Sequence, residues 1–455
     1  MDRAKLERFP KQPLWDLPTA QTINKLRAFL HRVPQPTISY IQEQSLKARP
    51  LKGPFSVFQT TIPAPPQDDV RQLLLQTIGD MGEAQFPAPA LEDVHVEWVV
   101  KHSSTGGWGE CEGLETVLGQ AVTDMTVLHV HGGAYFQGSP AVYRPTTSQL
   151  AFLTGGRLVS VEYRLAPQHP FPASILDVLV AYLSLLYPPP SSPYPALDPA
   201  RIVFAGDSIG GVLLFALLQI IGHTAPRACP ITFHDYQLRF PLPYPASIAT
   251  LSFAPDQLGS LPSYEDNRVN DLYLDIPWAL PDYPSCGLWP TRPPRSQIYA
   301  ETRSYLHPLI SPNFARSWEG MPPMWFAVGE EQFVDGANAI ARRAEGQGVN
   351  VTWLQFEALP HCFAMLPVLN KSPQADMCFG RWAEFCQRSV EETVATTVKG
   401  KQRISATRIR YRDMREEAIT LDAGPQRRHL PLDEVERLIR VKVDELESQY
   451  VAPKL

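Results

Sequence analysis

The sequence lacks the features that mark several large classes of protein. Its six cysteines include no Cys-x-x-Cys pair, the spacing typical of zinc and redox sites. No apolar run reaches the roughly 18 residues that a bilayer-spanning helix needs. Residues 1–8 lack the apolar core of a signal peptide. These absences favour a cytoplasmic protein with reduced thiols and no transmembrane segment.

Cofactor and nucleic-acid motifs are missing as well. The chain has no glycine-rich phosphate loop, no dinucleotide fingerprint and no metal-ligand cluster, so we predict no cofactor and no metal. The formal net charge is −6, and Lys and Arg are scattered apart from a modest cluster near the C-terminus, which argues against nucleic acid as a partner. At 455 residues and 44% hydrophobic content, the chain is long enough to bury a substantial core.

The most informative segment is Gly206-Asp207-Ser208-Ile209-Gly210-Gly211. It follows a short apolar, β-branched run at 201–205 and precedes a helix-length apolar run at 212–221. This order predicts a strand, a tight turn and a helix, with a serine at the apex. Gly-x-Ser-x-Gly alone is weak evidence, but flanking glycines leave room for the strained backbone of a nucleophilic serine in that context. We therefore predict Ser208 as a nucleophile.

A nucleophilic serine needs a histidine base and a carboxylate, in the chain order Ser, acid, His for such a strand-turn-helix site. Five histidines follow Ser208. Four are disfavoured by position, because they lie at the far end of the serine helix, before any plausible acid strand, or in a charged tail. The remaining one, His361, follows an alternating run at 351–356 that predicts a strand and would deliver a loop to the carboxyl edge of a sheet.

The acid is expected in the loop after the strand-like run at 324–329. Glu330, Glu331 and Asp335 are the candidates there. Asp335 also suits the first turn of a helix, where an acidic side chain meets the helix dipole favourably. We prefer Glu331 as the catalytic acid and keep Asp335 as the alternative. Either carboxylate is able to orient the imidazole and stabilise its protonated form.

A glycine-rich loop provides candidates for an oxyanion hole. The run at 125–130 predicts a central strand, and it continues into His131-Gly132-Gly133-Ala134. Glycines allow backbone N–H groups to face a ligand without obstruction. The amides of Gly132, Gly133 and Ile209 are therefore predicted to bind the oxyanion, at about 3 kcal/mol per donor.

Three ordered motifs resemble the hormone-sensitive-lipase-like branch of the α/β-hydrolases, which includes arylacetamide deacetylases and many microbial and fungal esterases. They lie at 131–134, 163–173 and 206–211, and the resemblance extends from about residue 95 to 394. It implies a mostly parallel central sheet with helices on both faces. It also implies that His131 orients the oxyanion loop and that Asp207 is a scaffold acid. Where relatives commonly have glycine and aspartate, this chain has Ala134 and Glu331.

We divide the chain into three parts. Residues 1–94 precede the first clear strand, predicted at 95–100, and contain amphipathic stretches at 22–30 and 70–78. The resemblance identifies this region as an N-terminal helical lid. Residues 95–394 form the catalytic domain, with an insertion at 226–300 that is rich in proline and aromatic residues and is a candidate contributor to the lid. One strand is predicted within the insertion, at 248–253. Residues 395–455 are an extension, with an edge strand at 403–411 and an amphipathic helix at 431–446. The apolar stripe of that helix fits burial against the core or in a homodimer, and the pattern does not distinguish the two.

The function expected from these motifs is hydrolysis of carboxylic esters of small or medium, largely apolar substrates through an acyl-enzyme. An alternative keeps the catalytic triad but releases or transfers an acyl chain from a thioester in a biosynthetic pathway. A further alternative is a non-catalytic ligand receptor on the same fold. The receptor is disfavoured because His361, the predicted base, is present.

Overall fold

The computed structural model describes residues 12–451, apart from 33, 49–50, 52, 102–113, 120, 225–229, 239, 274–282, 396–404 and 423–429. The helices are α1 (Leu17–Leu30), α2 (Ile38–Ser45), α3 (Asp69–Met81), α4 (Leu114–Leu118), α5 (Pro140–Thr154), α6 (Ala173–Leu186), α7 (Ser208–His223), α8 (Ser263–Asp266), α9 (Val334–Gly346), α10 (Pro373–Val394) and α11 (Leu432–Gln449). The strands are β1 (Phe55–Ile62), β2 (Val94–Lys101), β3 (Thr126–Val130), β4 (Arg157–Glu162), β5 (Ile202–Asp207), β6 (Ile231–Phe233), β7 (Tyr236–Leu238), β8 (Ser247–Leu251), β9 (Met324–Gly329), β10 (Val351–Phe356), β11 (Ser405–Ile409) and β12 (Glu416–Ala418).

Ten strands form one sheet in the order β1-β2-β4-β3-β5-β8-β9-β10-β11-β12. Every neighbouring pair from β4 to β11 is parallel. The antiparallel pairs are β1 with β2, β2 with β4, and β11 with β12. The predicted mostly parallel sheet is thus confirmed. Parallel strands end at a common edge, so the loops that follow β5, β9 and β10 lie near one another.

Helices cover both faces of the sheet, which explains the apolar runs of the sequence. Helices α6 and α7 contribute to one core cluster, and α5 and α10 contribute to the other. Helix α7 is buried from Ile209 to Ile221, so nearly all its side chains are apolar. The hydrophobic run after Ser208 is therefore a core helix. Among the described residues, no helix is both long and apolar enough to cross a bilayer.

The sheet begins earlier in the chain than we predicted. Strand β1 pairs with β2 along its whole length, although residues 1–94 were expected to precede the first strand. Its side chains are mostly half-buried or exposed, because β1 is an edge strand, and so it has no strong hydrophobic run. The two predicted amphipathic stretches correspond to α1 and α3.

The insertion at 226–300 contributes both a strand of the main sheet and a layer over the active-site edge. Strand β8 corresponds to the predicted strand in this segment and lies between β5 and β9. A separate hairpin of β6 and β7 precedes it. Helix α8 and the turn after it lie above the loop that follows β9, where Asn267 donates to the carbonyl oxygen of Glu331. The insertion therefore contacts the acid loop, which directly follows β9 and contains Glu330, Glu331 and Gln332.

The C-terminal extension continues the same sheet. Strand β11 pairs with β10 in parallel, and the short β12 takes the edge that we had assigned to residues 403–411, of which 403 and 404 lie outside the described residues. Three residues of β12 are too few to show an alternating pattern. Helix α11 packs Val435 and Ile439 against Leu261, Phe314 and Ala339, so its apolar stripe is covered by the same chain.

Candidate active site

The turn between β5 and α7 places Ser208 in the conformation that the glycines predicted. Ser208 has a φ of 50°, in the left-handed region that side chains rarely adopt. A Cβ on Gly210 would lie 2.0 Å from the carbonyl oxygen of Val130, and one on Gly206 would lie 2.7 Å from the same atom. Only glycine lets this turn approach β3 so closely. The turn projects the partly exposed Ser208 into the cavity at the sheet edge.

Ser208, His361 and Glu331 meet although they are far apart in sequence. His361 Nε2 lies 2.9 Å from Ser208 Oγ, and His361 Nδ1 lies 2.6 Å from Glu331 Oε2. The arrangement corresponds to a tautomer in which Nδ1–H donates to the carboxylate and Nε2 accepts the hydroxyl proton. Glu331 is fully buried and His361 is 4% exposed, so solvent does not compete for the bond between these two side chains.

The other two candidate acids face elsewhere. Asp335 Oδ2 accepts from the amide of Ser263, at 2.7 Å. Glu330 pairs with the buried Arg408 and accepts from the amide of Ala358. Among the candidates, Glu331 alone reaches the imidazole.

The surrounding charges favour the protonated form of His361. Burial alone would lower the pKa of the imidazole, but the negative charges of Glu331, Asp271 and Asp207 more than offset burial and raise the pKa above its ordinary value. Two aromatic rings also pack around the imidazole, with centroids 4.9 Å away for Phe333 and 5.8 Å away for Tyr273. The site thus favours the imidazolium form of His361.

One predicted oxyanion donor requires correction. The N–H of Gly132 donates to Asp207 Oδ1, at 3.1 Å, and Gly132 does not line the cavity. A Cβ on Gly132 would lie 2.4 Å from Asp207 Oδ2, so this glycine is needed for close packing behind Ser208. Gly133, Ala134 and Ile209 do line the cavity beside Ser208. Ala134, which we had not predicted as a donor, therefore takes the place of Gly132 as a candidate.

The residues predicted as support lie behind the oxyanion loop. His131 is buried, its Nδ1–H donates to the carbonyl oxygen of Gly132 at 2.7 Å, and its ring stacks on Tyr163. Burial lowers the pKa of His131 to about 4, so the ring is neutral near pH 7. The Tyr163 hydroxyl donates to the carbonyl oxygen of His131, at 2.9 Å. These bonds fix the loop without any contact between His131 and the cavity.

Asp207 connects several parts of the site. Besides Gly132, its carboxylate accepts from the hydroxyl of Tyr143, at 3.0 Å. Burial raises the pKa of Asp207 to about 6, and the bonds from Tyr143 and Gly132 partly offset this rise. Tyr143 was not predicted from the sequence. It lies in α5, where no local motif distinguishes it from a core tyrosine.

A cavity of about 380 Å³ opens beside Ser208 and His361. Its wall is mixed, with apolar side chains that include Ile298, Leu272, Phe333 and Met365, and polar side chains that include Gln149, Gln257 and Asn370. Tyr135 and Tyr299 stack in this wall with ring centroids 3.6 Å apart. A cavity of this size and character fits a small or medium organic molecule. Within the described part of the chain, no group of three or more His, Cys, Asp or Glu is arranged to hold a metal ion.

Comparison with known proteins identifies relatives that are hydrolases. A family profile described as an alpha/beta hydrolase fold matches residues 127–248 and 293–365. An acetyl-hydrolase from Streptomyces hygroscopicus is 29% identical over 258 residues, which cover 55% of this chain and 72% of the relative. An esterase from Acinetobacter venetianus is 25% identical over 279 residues, which cover 60% of this chain and 77% of the relative.

Solved structures share the fold. The crystal structure of an esterase from the bacterial hormone-sensitive lipase family superposes with a TM-score of 0.54 at 21% identity, covering 86% of this chain and 99% of that one. The esterase EstE5, soaked with p-nitrophenyl butyrate, superposes with a TM-score of 0.56 at 20% identity, covering 83% of this chain and 100% of that one. The sequence resemblance is thus confirmed: the chain has the α/β-hydrolase fold and is similar to esterases, among them one of the bacterial hormone-sensitive lipase family.

Proposed function

We propose that the protein hydrolyses carboxylic esters with Ser208 as nucleophile, His361 as general base and Glu331 as the acid that orients the base. The observation that carries the proposal is the unbroken hydrogen-bonded series from Ser208 Oγ through both nitrogens of His361 to Glu331, with distances of 2.9 and 2.6 Å. A hydroxyl is a weak nucleophile near neutral pH, and a base at this distance removes its proton as the new bond forms.

Acylation begins when Ser208 Oγ attacks the ester carbonyl carbon and His361 Nε2 takes the hydroxyl proton. The carbonyl oxygen becomes an oxyanion, for which the amides of Gly133, Ala134 and Ile209 are the proposed donors. The imidazolium then gives its proton to the departing alkoxide, and an alcohol leaves. Water attacks the acyl-enzyme in the same way, with His361 as base, and a carboxylic acid and free Ser208 result.

The proposed substrates are esters of small or medium size with largely apolar groups. The volume of the cavity supports this range, and the side chains of Ile298 and Leu272 provide apolar contact. The methyl group of Ala134 narrows the space beside the reacting carbon, where relatives commonly have glycine. We therefore expect alcohols that are bulky at the carbon attached to oxygen to be poor leaving groups in this site. The relative named acetyl-hydrolase supports a short acyl group.

A fluorophosphonate probe and p-nitrophenyl butyrate test the proposal together. The full chain should hydrolyse the ester, and the probe should attach to Ser208, located by peptide mass spectrometry. Ser208→Ala should lose labelling and lower kcat by at least about 10⁴-fold. Ser448→Ala, on the exposed face of α11, is the matched control and should retain both. A folded Ser208→Ala enzyme with wild-type turnover would refute the proposal, and preference for a butyryl thioester over the oxoester would indicate the acyl-transfer alternative.

A further inference from the structure

A turn in the insertion contacts the backbone of both loops that carry the triad. The turn comprises residues 267–271 and follows α8. Asp271, which is fully buried, accepts from the amide of His361 at 3.0 Å through Oδ1. Its Oδ2 accepts from the amide of Gln332 at 2.7 Å. Gln332 directly follows Glu331. One carboxylate therefore bonds to the backbone of the predicted base and to the backbone beside the predicted acid.

Two asparagines of the same turn also form hydrogen bonds to the acid loop. Asn267 Nδ2 donates to the carbonyl oxygen of Glu331, at 2.6 Å, and Asn270 Nδ2 donates to the carbonyl oxygen of Glu330, at 2.9 Å. Together with Asp271, these side chains bond to three consecutive residues of the acid loop. Loop backbone is held in place by such bonds because no strand partner supplies them. The side chains of Asn267, Asn270 and Asp271 thus bond to the loops that carry Glu331 and His361 and do not face solvent.

The N-terminal helix α1 holds this turn through hydrogen bonds from one arginine. Arg27, fully buried, donates through Nε to the carbonyl oxygen of Asp271, at 2.8 Å. Its Nη2 donates to the carbonyl oxygens of Val269, at 2.9 Å, and Arg268, at 3.3 Å. A guanidinium suits this task, since it presents several donors in a fixed plane. Burying such a charge is costly, and the nearby Asp271 offsets part of that cost.

We propose that Asp271 is a positioning residue for the hydrolytic reaction: it fixes the acid loop relative to the loop that carries His361. Arg27 of α1 holds the turn that carries Asp271. The inference rests on the proposed ester hydrolysis. It assigns the N-terminal helix α1 a part in the geometry of the triad. A misplacement of about 1 Å between reacting groups can cost up to about 100-fold in rate, so a backbone clamp at this site matters for kcat.

The charge of Asp271 also acts on the base. The groups that face His361 are the carboxylates of Glu331, Asp271 and Asp207 and the hydroxyl of Ser208, with the rings of Tyr273 and Phe333 packed beside it. The thiol of the adjacent Cys362 contacts Asp207. Removal of one of the three negative charges should move the pKa of His361 downward. A residue that only supports the fold would not change this titration, so the pH profile separates the two roles.

The test compares Asp271→Asn with Asp256→Asn in the full-length enzyme. Asp256 is a matched control: it is a buried carboxylate in the same insertion, and its bonds go to Ser260 and Leu261 within its own turn. For p-nitrophenyl butyrate, Asp271→Asn should lower kcat by about 10- to 100-fold with little change in KM. In the pH profile of kcat/KM, the acid limb, where the rate falls as His361 becomes protonated, should move to lower pH. Asp256→Asn should lower the unfolding temperature but leave the acid limb in place.

Several outcomes would overturn the inference. A folded Asp271→Asn enzyme with wild-type kcat and an unmoved acid limb refutes the positioning role, and so do equal losses of kcat in both variants. If Asp271→Asn does not fold, Asn267→Ala tests the same clamp with every charge retained, and wild-type kcat in that folded variant refutes it. Arg27→Lys should lower kcat as well, and loss of thermal stability alone would remove α1 from the proposal. Failure of the wild-type enzyme to hydrolyse the ester or to be labelled at Ser208 would instead refute the proposed function.

Discussion

Glu331 Oε2 lies 2.6 Å from His361 Nδ1, whereas Asp335 bonds to the amide of Ser263. We expect Glu331→Gln to lower kcat for p-nitrophenyl butyrate by about 10³- to 10⁴-fold, because an amide no longer stabilises the imidazolium and can hold the wrong tautomer. Asp335→Asn should keep most of the activity. Glu330→Gln is the adjacent control, since that carboxylate pairs with Arg408. The reverse ranking of Glu331→Gln and Asp335→Asn would transfer the acid role to Asp335.

The dependence of kcat/KM on pH should follow the titration of His361. The base must be neutral to accept the proton of Ser208, so kcat/KM should rise as pH increases through the pKa of the imidazole. Nearby carboxylates raise that pKa above the ordinary value of 6.5, so the acid limb should lie above that of an unperturbed histidine. The same raised pKa contributes stability at low pH, which is lost as pH rises through it.

Measurement of kcat/KM from about pH 5 to pH 9 checks this titration. Glu331→Gln removes one of the negative charges, and its acid limb should move to lower pH on a much lower plateau. Asp335→Asn should keep the wild-type limb. An acid limb in the wild-type enzyme below the ordinary range of histidine would contradict the charge environment described for the site.

Ala134→Gly should widen the range of alcohols that the enzyme accepts. Ala134 has a φ of 51°, where a side chain is strained by about 1–2 kcal/mol, and it lines the cavity next to Gly133. Glycine removes both the strain and the methyl group while it keeps the amide. The ratio of kcat/KM for tert-butyl acetate to that for ethyl acetate should therefore increase. An unchanged ratio, with wild-type turnover of ethyl acetate, would show that the methyl group does not limit the alcohol.

Gly210→Ala should destabilise the protein strongly, whereas Gly380→Ala should not. A Cβ at position 210 would lie 2.0 Å from the carbonyl oxygen of Val130, and backbone atoms there cannot move aside easily. We expect a loss of more than about 3 kcal/mol in the free energy of unfolding, measured by denaturant titration. Gly380, in α10, has no atom within 4 Å of an added Cβ, so alanine there should stabilise by about 0.5–1 kcal/mol. Equal effects at the two positions would contradict the close approach of the turn to β3.

The main features of the fold were predictable because they leave local patterns. The strand, turn and helix around Ser208 require glycines at fixed positions, and the buried α7 requires a long apolar run. The elimination of other histidines led to His361, and the structure places it beside Ser208. The catalytic roles of these residues remain predictions that the variants above test.

The parts that were not predicted depend on contacts distant in sequence. Gly132 and Gly133 are both glycines in one loop, but only the fold determines that the amide of Gly132 bonds to Asp207, 75 positions further along the chain. Asp271 has no local motif, since its partners lie at 332 and 361. Strand β1 was missed because half-buried edge strands lack a clear hydrophobic period. A single sequence thus does not reveal which polar groups, far apart along the chain, form hydrogen bonds with each other in the fold.

The location of β11 bears on how the protein can be shortened. β11 supplies backbone partners along β10, from Thr352 to Phe356, on the side away from β9. A polypeptide cut after residue 394 would retain Ser208, Glu331 and His361 but would leave the N–H and C=O groups along that side of β10 unpaired. An exposed strand edge of this kind pairs with other copies of the chain and promotes aggregation. The extension also supplies Arg408, the partner of Glu330 in the loop after β9, so we expect a chain cut at residue 394 to aggregate and to lose activity together.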